Sequence, residues 1–532
     1  MPVKKMFYSL CFLLILPLLL TSCSQKKEDN SNQPQSQNSA NAEENPTTPP
    51  SSDTAADDVS DQQEPSPAQN PSADGLTDSE SQLQPQSISL LLSHESITKG
   101  DEKEVFCSGY YSTIQTGDSL YPKLQDALTD YNMDIRDSVQ DTLDDCYEDC
   151  HEHSSSGNCS YYSGIYIQHE VYRSDTTIVS ILCHESLYGC QENEDDCKEL
   201  NIDPVTGKIL HLNDVVQNMD SLSSALEEAI CKQVPSGSLK DNLSHKLQDI
   251  LEDDDLDDAA WNLGYQYLVF SFEAGSIAKE TEGELTIFLQ DTDGGILKEK
   301  YQQLPDRYAY RIPTEIPFYA DINGDGTTDS LIVHGDITEY DMIETIDVRV
   351  NDTSTTFESW SYDILPYLVH TEDNRNYLYL DTLHDNDYHS ISVVDLNGTS
   401  PVYVDTIEGG LHNGIFCDPE SFVIETRLDL LSTYSGIRSY ALGDNGMPEV
   451  QQDAYEIVNN ITLTAKKDLK LKDGKITAGS KCRLLRTDGK TWVEVELEDG
   501  STRTIEVEHN GWPQMIQGEE AEEYFDDMIF AG

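Results

Sequence analysis

The chain has 532 residues, with 33 Lys+Arg against 99 Asp+Glu and a formal net charge of -66. That length exceeds what one hydrophobic core organises, so several domains plus some non-globular chain are expected. The charge excludes a nucleic-acid binder, which needs a cationic face to displace counterions from phosphates, and it disfavours anionic membrane patches while supplying carboxylates for divalent cations.

Lys4 and Lys5 form a short basic start, Met6 to Leu20 is almost wholly apolar, and Leu20-Thr21-Ser22-Cys23 follows at once. The apolar run is short for a bilayer span and suits an export signal. Its end resembles a lipobox, which implies a signal peptide over 1–22 and a lipidated Cys23. The competing readings are an uncleaved anchor and cleavage at an ordinary signal site. The expected location is the extracytoplasmic face of the cell membrane, held by lipid. Residues 23–99 are rich in Ser, Gln, Asn, Pro, Asp and Glu, and from Ser24 on they contain no aromatic residue. Such a segment buries too little apolar area to offset its conformational entropy and reads as a disordered linker, with Ile88 to Leu92 as the first ordered piece.

Residues 100–303 read as an α+β domain. Leu124, Leu128, Tyr131, Ile135 and Val139 recur at helical spacing after Pro122. Ile165, Ile167 and Val171 alternate, Arg173 to Thr176 turn, and Ile178 to Leu182 run back as a hairpin. Two more amphipathic helices carry Leu222, Leu226 and Ile230, then Leu243, Leu247 and Ile250. Cys107, Cys146, Cys150, Cys159, Cys183, Cys190, Cys197 and Cys231 cluster here. Outside the cytoplasm such a set reads as a disulfide framework of undetermined connectivity. The alternative is a zinc site built from Cys146, Cys150, His151, His153 and Cys159.

Tyr172-Arg173-Ser174-Asp175 before a strand, Asp203-Pro204-Val205-Thr206-Gly207-Lys208 before Leu212-Asn213-Asp214, and an aromatic strand reaching Phe272 before Gly283-Glu284-Leu285 resemble the RsiV-like extracytoplasmic domain family. A related domain precedes the catalytic part of some peptidoglycan deacetylases. The resemblance spans about Phe106 to Gln290. It implies binding at the cell surface, with lysozyme as the ligand of the anti-sigma-factor relative. One departure is Tyr188-Gly189-Cys190, where the family has a small Gly-Ala-His element.

Residues 304–456 read as a β-rich, propeller-like segment without enough repeats to close a ring. Within it, Asp321, Asn323, Asp325, Thr327 and Asp329 place oxygens along one short loop, and Gly326 permits its sharp turn; this predicts a structural calcium site. The twelfth position is Ile332, where an EF-hand has Glu. Two weaker Asp-rich turns lie at Leu383 to Asp387 and Val394 to Gly398. Residues 457–515 carry Asp-Gly turns between short alternating runs and read as a small SH3-like β barrel, with an acidic tail over 516–532.

No His-Glu-x-x-His, Gly-x-Ser-x-Gly, Walker-type or dinucleotide motif is present, so no catalytic residue is assigned. The leading reading is a surface-anchored lipoprotein that binds or senses a cell-wall glycan or a cationic wall-active protein such as lysozyme. A wall-modifying hydrolase and a calcium-stapled scaffold are the alternatives. Because thioether lipidation needs the sulfur, Cys23→Ser is expected to release the protein from the membrane fraction; unchanged lipid labelling of the variant would rule out the anchor.

Overall fold

The computed structural model describes residues 84–532 apart from 101–104, 118, 155–162, 189–193, 253–255, 257–258, 266, 292–294, 509–510 and 532, and the side chains at 105–106, 149–154, 194–195 and 387. The lipobox and most of the linker lie outside the described residues. Alternating apolar positions start the ordered chain. Ile88, Leu90 and Leu92 are buried, and β1 (Leu90–Gly100) pairs antiparallel with β2 (Val105–Thr116) along its whole length. The strand therefore takes residues up to Lys99 that composition alone assigns to the linker.

Helix α1 (Pro122–Ser154) crosses back so that β3 (Ser163–Ser174) joins β2 in parallel. Its predicted stripe is the packing face, with Leu124, Leu128, Ile135 and Val139 buried. β3 then forms the expected hairpin with β4 (Val179–Tyr188), and β5 (Glu194–Ile202) completes a sheet in the order β1-β2-β3-β4-β5. The Asp203 to Lys208 turn closes as the sequence predicts: Asp203 Oδ1 accepts from the amides of Val205 and Thr206. Gly207 has φ +70, and a Cβ there would lie 2.6 Å from the Lys123 carbonyl oxygen, so only glycine fits.

After α2 (Leu212–Val215), helices α3 (Met219–Gln233) and α4 (Leu243–Glu252) cover a three-stranded sheet of β6 (Ala259–Leu263), β7 (Tyr267–Phe272) and β8 (Leu285–Gln290). Asn218 caps α3 by accepting from the Ser221 amide at 3.0 Å. β9 (Tyr308–Arg311) then reaches across to a five-stranded sheet. β10 (Phe318–Ala320), β11 (Asp329–Ile337), β12 (Ile343–Val350) and β13 (Thr353–Ser361) form an antiparallel four-stranded sheet. β14 (Asp363–His370), β15 (Asn376–Leu383), β16 (His389–Asp395) and β17 (Val402–Glu408) complete the sheet with β9, ordered β17-β16-β15-β14-β9. One buried cluster runs through these layers from Tyr172 to Leu396.

β18 (Gly410–Leu411), β19 (Phe422–Asp429), β20 (Thr433–Leu442), β21 (Pro448–Val450) and β22 (Tyr455–Ile457) start the last large sheet, which β23 (Thr462–Ala465) also joins. β24 (Leu469–Leu471) and β25 (Gly474–Ile476) form a separate ribbon. β26 (Lys481–Thr487), β27 (Trp492–Leu497) and β28 (Thr502–Glu506) return to the large sheet. Among the described residues no helix is long and apolar enough to cross a membrane.

The fold-class expectation is corrected here. Taken over all the described residues, strands in several open sheets dominate and the few helices lie on them, so the layout is a multidomain β one and the α+β label does not describe the whole. The middle strands build open sheets, and among the described residues no propeller ring closes. The C-terminal strands do not form a closed SH3-like barrel: β22 pairs with β20 through Gly436 and Ile437 and with β26 through Thr487 and Arg486, which ties them into a ten-stranded open sheet. Local alternation marks strands but carries no information about distant edges, and a free edge on one element recruits the next.

Arg173 and Asp175 lie fully buried as an ion pair of 2.8 Å. Arg173 donates its remaining groups to the carbonyls of Tyr301 and Gln303, at 2.9 and 2.7 Å. Asp175 Oδ1 accepts the amides of Thr177 and Ile178. Removing one partner of such a pair leaves an uncompensated buried charge, so Arg173→Met is expected to lower unfolding stability by about 3–5 kcal/mol. Urea unfolding checks this, and a loss below about 1 kcal/mol, the scale of an exposed pair, would contradict it.

Candidate functional site

The predicted calcium loop is a tight, self-bonded turn. Asp329 is buried; its Oδ2 accepts the amides of Ile322 and Asn323, and its Oδ1 accepts from the Asn351 amide group at 2.6 Å. Asp321 Oδ2 accepts the Gly326 amide at 2.9 Å, with Gly326 at φ +83. Asn323 Oδ1 accepts the Asp325 amide, and Asp325 Oδ1 accepts both the amide and the hydroxyl of Thr327. These bonds hold the Asp325 carboxyl below the usual carboxylate range. The five residues are thus brought together, with Asp321, Asp325 and Thr327 exposed and Asp329 turned inward as a clasp.

The predicted disulfide framework finds no bridge among its described cysteines. None of Cys107, Cys146, Cys183, Cys197 and Cys231 lies at disulfide distance from another. For Cys183 and Cys197 the reason is the period of the strand. Cys183 and His184 are neighbours on β4, so they point to opposite faces. Cys183 joins Cys107 and Cys146 in the core beneath α1. Cys197 stands opposite His184 in the β4–β5 register and so faces the other way. Cys231 is exposed on α3. Burial pushes the Cys183 thiol up to about 11 and the Cys197 thiol higher still. The Cys150 side chain, Cys159 and Cys190 lie outside the described residues, as do the side chains of His151 and His153 of the alternative zinc site. Cys23 lies outside them too.

A surface absent from the sequence reading forms where β13 and β15 end. Ile343 pairs with Ser361 and Thr345 with Glu358, so Ser359 and Trp360 together oppose one residue of β12. This bulge puts Trp360 in the left-handed region at φ 55 and turns its ring outward, half exposed at 50%. A bulky residue held there is strained, and such bulges re-aim side chains. The Ser359 and Ser361 hydroxyls meet at 2.7 Å across the bulge.

The neighbouring turn is clamped to it. The Trp360 carbonyl lies 3.1 Å from His384 Nδ1, and the Tyr362 amide donates to the Leu383 carbonyl at 2.7 Å. The Tyr362 hydroxyl donates to Asp385 Oδ1 at 2.5 Å, and the His384 amide donates to the Tyr388 carbonyl at 2.7 Å. Tyr362 and Tyr388 are 41% and 44% exposed. The Arg427 guanidinium covers the Tyr388 ring at 4.6 Å and donates to the Asn386 carbonyl at 3.2 Å. Three outward aromatic residues therefore lie on two adjoining turns joined by hydrogen bonds, with a carboxylate, an imidazole and a guanidinium among them. The available signal was Trp360 and Tyr362 flanking the Asp-rich turn at 383–387 in space, but aromatics beside strands read by default as core.

No protein-family model matches this chain, and no curated protein matches it. Similar solved structures include a member of the DUF3298 family from Bacteroides fragilis, at 15% identity and TM-score 0.30, covering 40% of this chain and 96% of that one. A DUF3298 family protein from Pseudomonas aeruginosa is similar at 15% identity and TM-score 0.27, covering 41% of this chain and 96% of that one. At these scores the likeness carries no argument about family or activity.

Proposed function

We propose that this chain is a surface-anchored lipoprotein that binds a cell-wall glycan across Trp360, Tyr362 and Tyr388. The observation that carries the reading is the outward display of three aromatic residues on two adjoining, hydrogen-bonded turns, with Trp360 kept in a strained backbone conformation. Strain of that kind persists only where surrounding structure over-determines it, and it concentrates at ligand sites. Aromatic rings offer flat apolar faces with little conformational entropy to lose, which suits the C–H faces of sugar rings. The Asp385 carboxylate supplies acceptors for sugar hydroxyls or N-acetyl amides beside them. A charge of -66 also speeds encounter with a cationic wall-active protein, but charge alone defines no docking site. The glycan is therefore favoured.

Calorimetry of the full chain, without its lipid, against soluble wall glycan fragments at physiological salt is expected to give saturable heat. Trp360→Ala is expected to weaken binding at least about tenfold, or about 1.4 kcal/mol, with an unchanged melting curve because the ring is half exposed. Unchanged affinity in that variant, or saturable heat with lysozyme only, would overturn the glycan reading.

We also propose that the Asp321 to Asp329 loop takes calcium as a structural staple. Support comes from the exposed carboxylates of Asp321 and Asp325 on a loop already bent by its own hydrogen bonds. Calcium at a hundredfold excess over its dissociation constant is expected to stabilise the protein by about 2.7 kcal/mol. Asp325→Ala should shrink that gain; a chelator that leaves the wild-type melting curve unmoved speaks against the site.

A further inference from the structure

Away from the aromatic turn, three potential metal ligands converge from three separate strands or their flanks. His184 on β4 and Cys197 on β5 are direct cross-strand partners, and Glu284 immediately precedes β8. His184 Nδ1 lies 3.1 Å from Cys197 Sγ, and the thiol donates to Glu284 Oε1 at 3.3 Å. One ligand atom from each residue falls within 4.8 Å of the others. Tetrahedral zinc with its usual bond lengths holds sulfur about 3.6 Å from nitrogen or oxygen ligands. The two distances to the Cys197 sulfur need to open by only a few tenths of an ångström to admit the ion.

A second, independent feature is the support behind His184. Its other ring nitrogen, Nε2, lies 3.6 Å from Glu170 Oε2, and Glu170 is itself ion-paired with Arg311. A carboxylate behind the distal nitrogen of a ligating histidine fixes its tautomer and aims the near nitrogen at the metal. Here Glu170 sits two positions from Gln168, the β3 partner of His184, so strand register places it on the same face. His184 and Cys197 are partly buried while Glu284 is exposed.

We propose that His184, Cys197 and Glu284 bind a borderline-soft divalent cation, zinc, with Glu170 as the positioning residue behind His184. The nitrogen, sulfur and oxygen donor set suits zinc over calcium or magnesium, which take oxygen alone. Binding replaces the Cys197 thiol proton with the metal and releases that proton to solvent. Three protein ligands leave a fourth position for water on the exposed Glu284 side. The ion joins the β4–β5 hairpin to the approach to β8, so it acts as a clasp between two sheets.

The test uses the reduced full chain and cobalt(II) as a spectroscopic stand-in for zinc, in calcium-containing buffer so that the oxygen-rich loop is occupied. One equivalent of cobalt is expected to produce a thiolate-to-cobalt charge-transfer band, and zinc should bleach it stoichiometrically. Cys197→Ser should abolish the band, whereas Cys231→Ser should leave it intact. Glu284→Gln, at an exposed position that does not threaten folding, should lower affinity at least about tenfold. Glu170→Gln should weaken binding by about ten- to a hundredfold while keeping the band. Absence of the band in the wild type, its persistence in Cys197→Ser, or full affinity in Glu284→Gln would each overturn the proposal.

Discussion

The buried Arg173–Asp175 pair is the constraint on which the central layers depend. A guanidinium and a carboxylate removed from water are tolerated only when every donor and acceptor is met. Here Asp175, the carbonyls of Tyr301 and Gln303 and the Thr177 and Ile178 amides meet those needs together. The Tyr265 ring lies 4.9 Å from the same guanidinium. One side chain on β3 thus fixes the end of a hairpin and the segment leading into β9. Farther along β3, Glu170 repeats the device with Arg311. Burial alone opposes ionisation of Glu170, but Arg311 and His184 outweigh it and hold the carboxyl down at about 2.

From β9 the constraint passes outward through pairing. Arg311 stands opposite Tyr367 on β14, and β14 pairs along its length with β15. Between the sheets Tyr265, Tyr308 and Tyr310 stack, with ring centres 4.8 to 5.6 Å apart. β14 and β15 begin and end beside the turn that carries Tyr362, His384 and Tyr388. Tyr362 and Tyr388 therefore adjoin a sheet whose edge strand β9 carries the Arg311–Glu170 ion pair, while Trp360 lies on β13 of the four-stranded sheet.

Local patterns were the legible part of the sequence. The α1 stripe, the β3–β4 hairpin and the Asp203 to Lys208 turn all follow from short-range periodicity and turn chemistry, and each is found where those rules put it. Relations across distance were not legible. The pairing of β22 with both β20 and β26 depends on which edges lie open after folding, so a barrel seemed natural where an open sheet forms. Clustered cysteines suggested bridges, but alternation sends Cys183 and Cys197 to opposite faces. The same alternation conceals His184, Cys197 and Glu284 as a group, because Glu284 comes from a different sheet. Trp360 was missed because its display depends on one extra residue in β13 relative to β12, and register is invisible until both strands are paired.

If the chain binds wall glycan, the proposed surface is the aromatic turn and not the 106–290 segment. Amide hydrogen exchange of the full chain with and without saturating wall glycan fragments tests it most directly. New protection at 359–362 and 384–388, with the 106–290 amides unchanged, is the predicted result; protection confined to 106–290 would contradict the account.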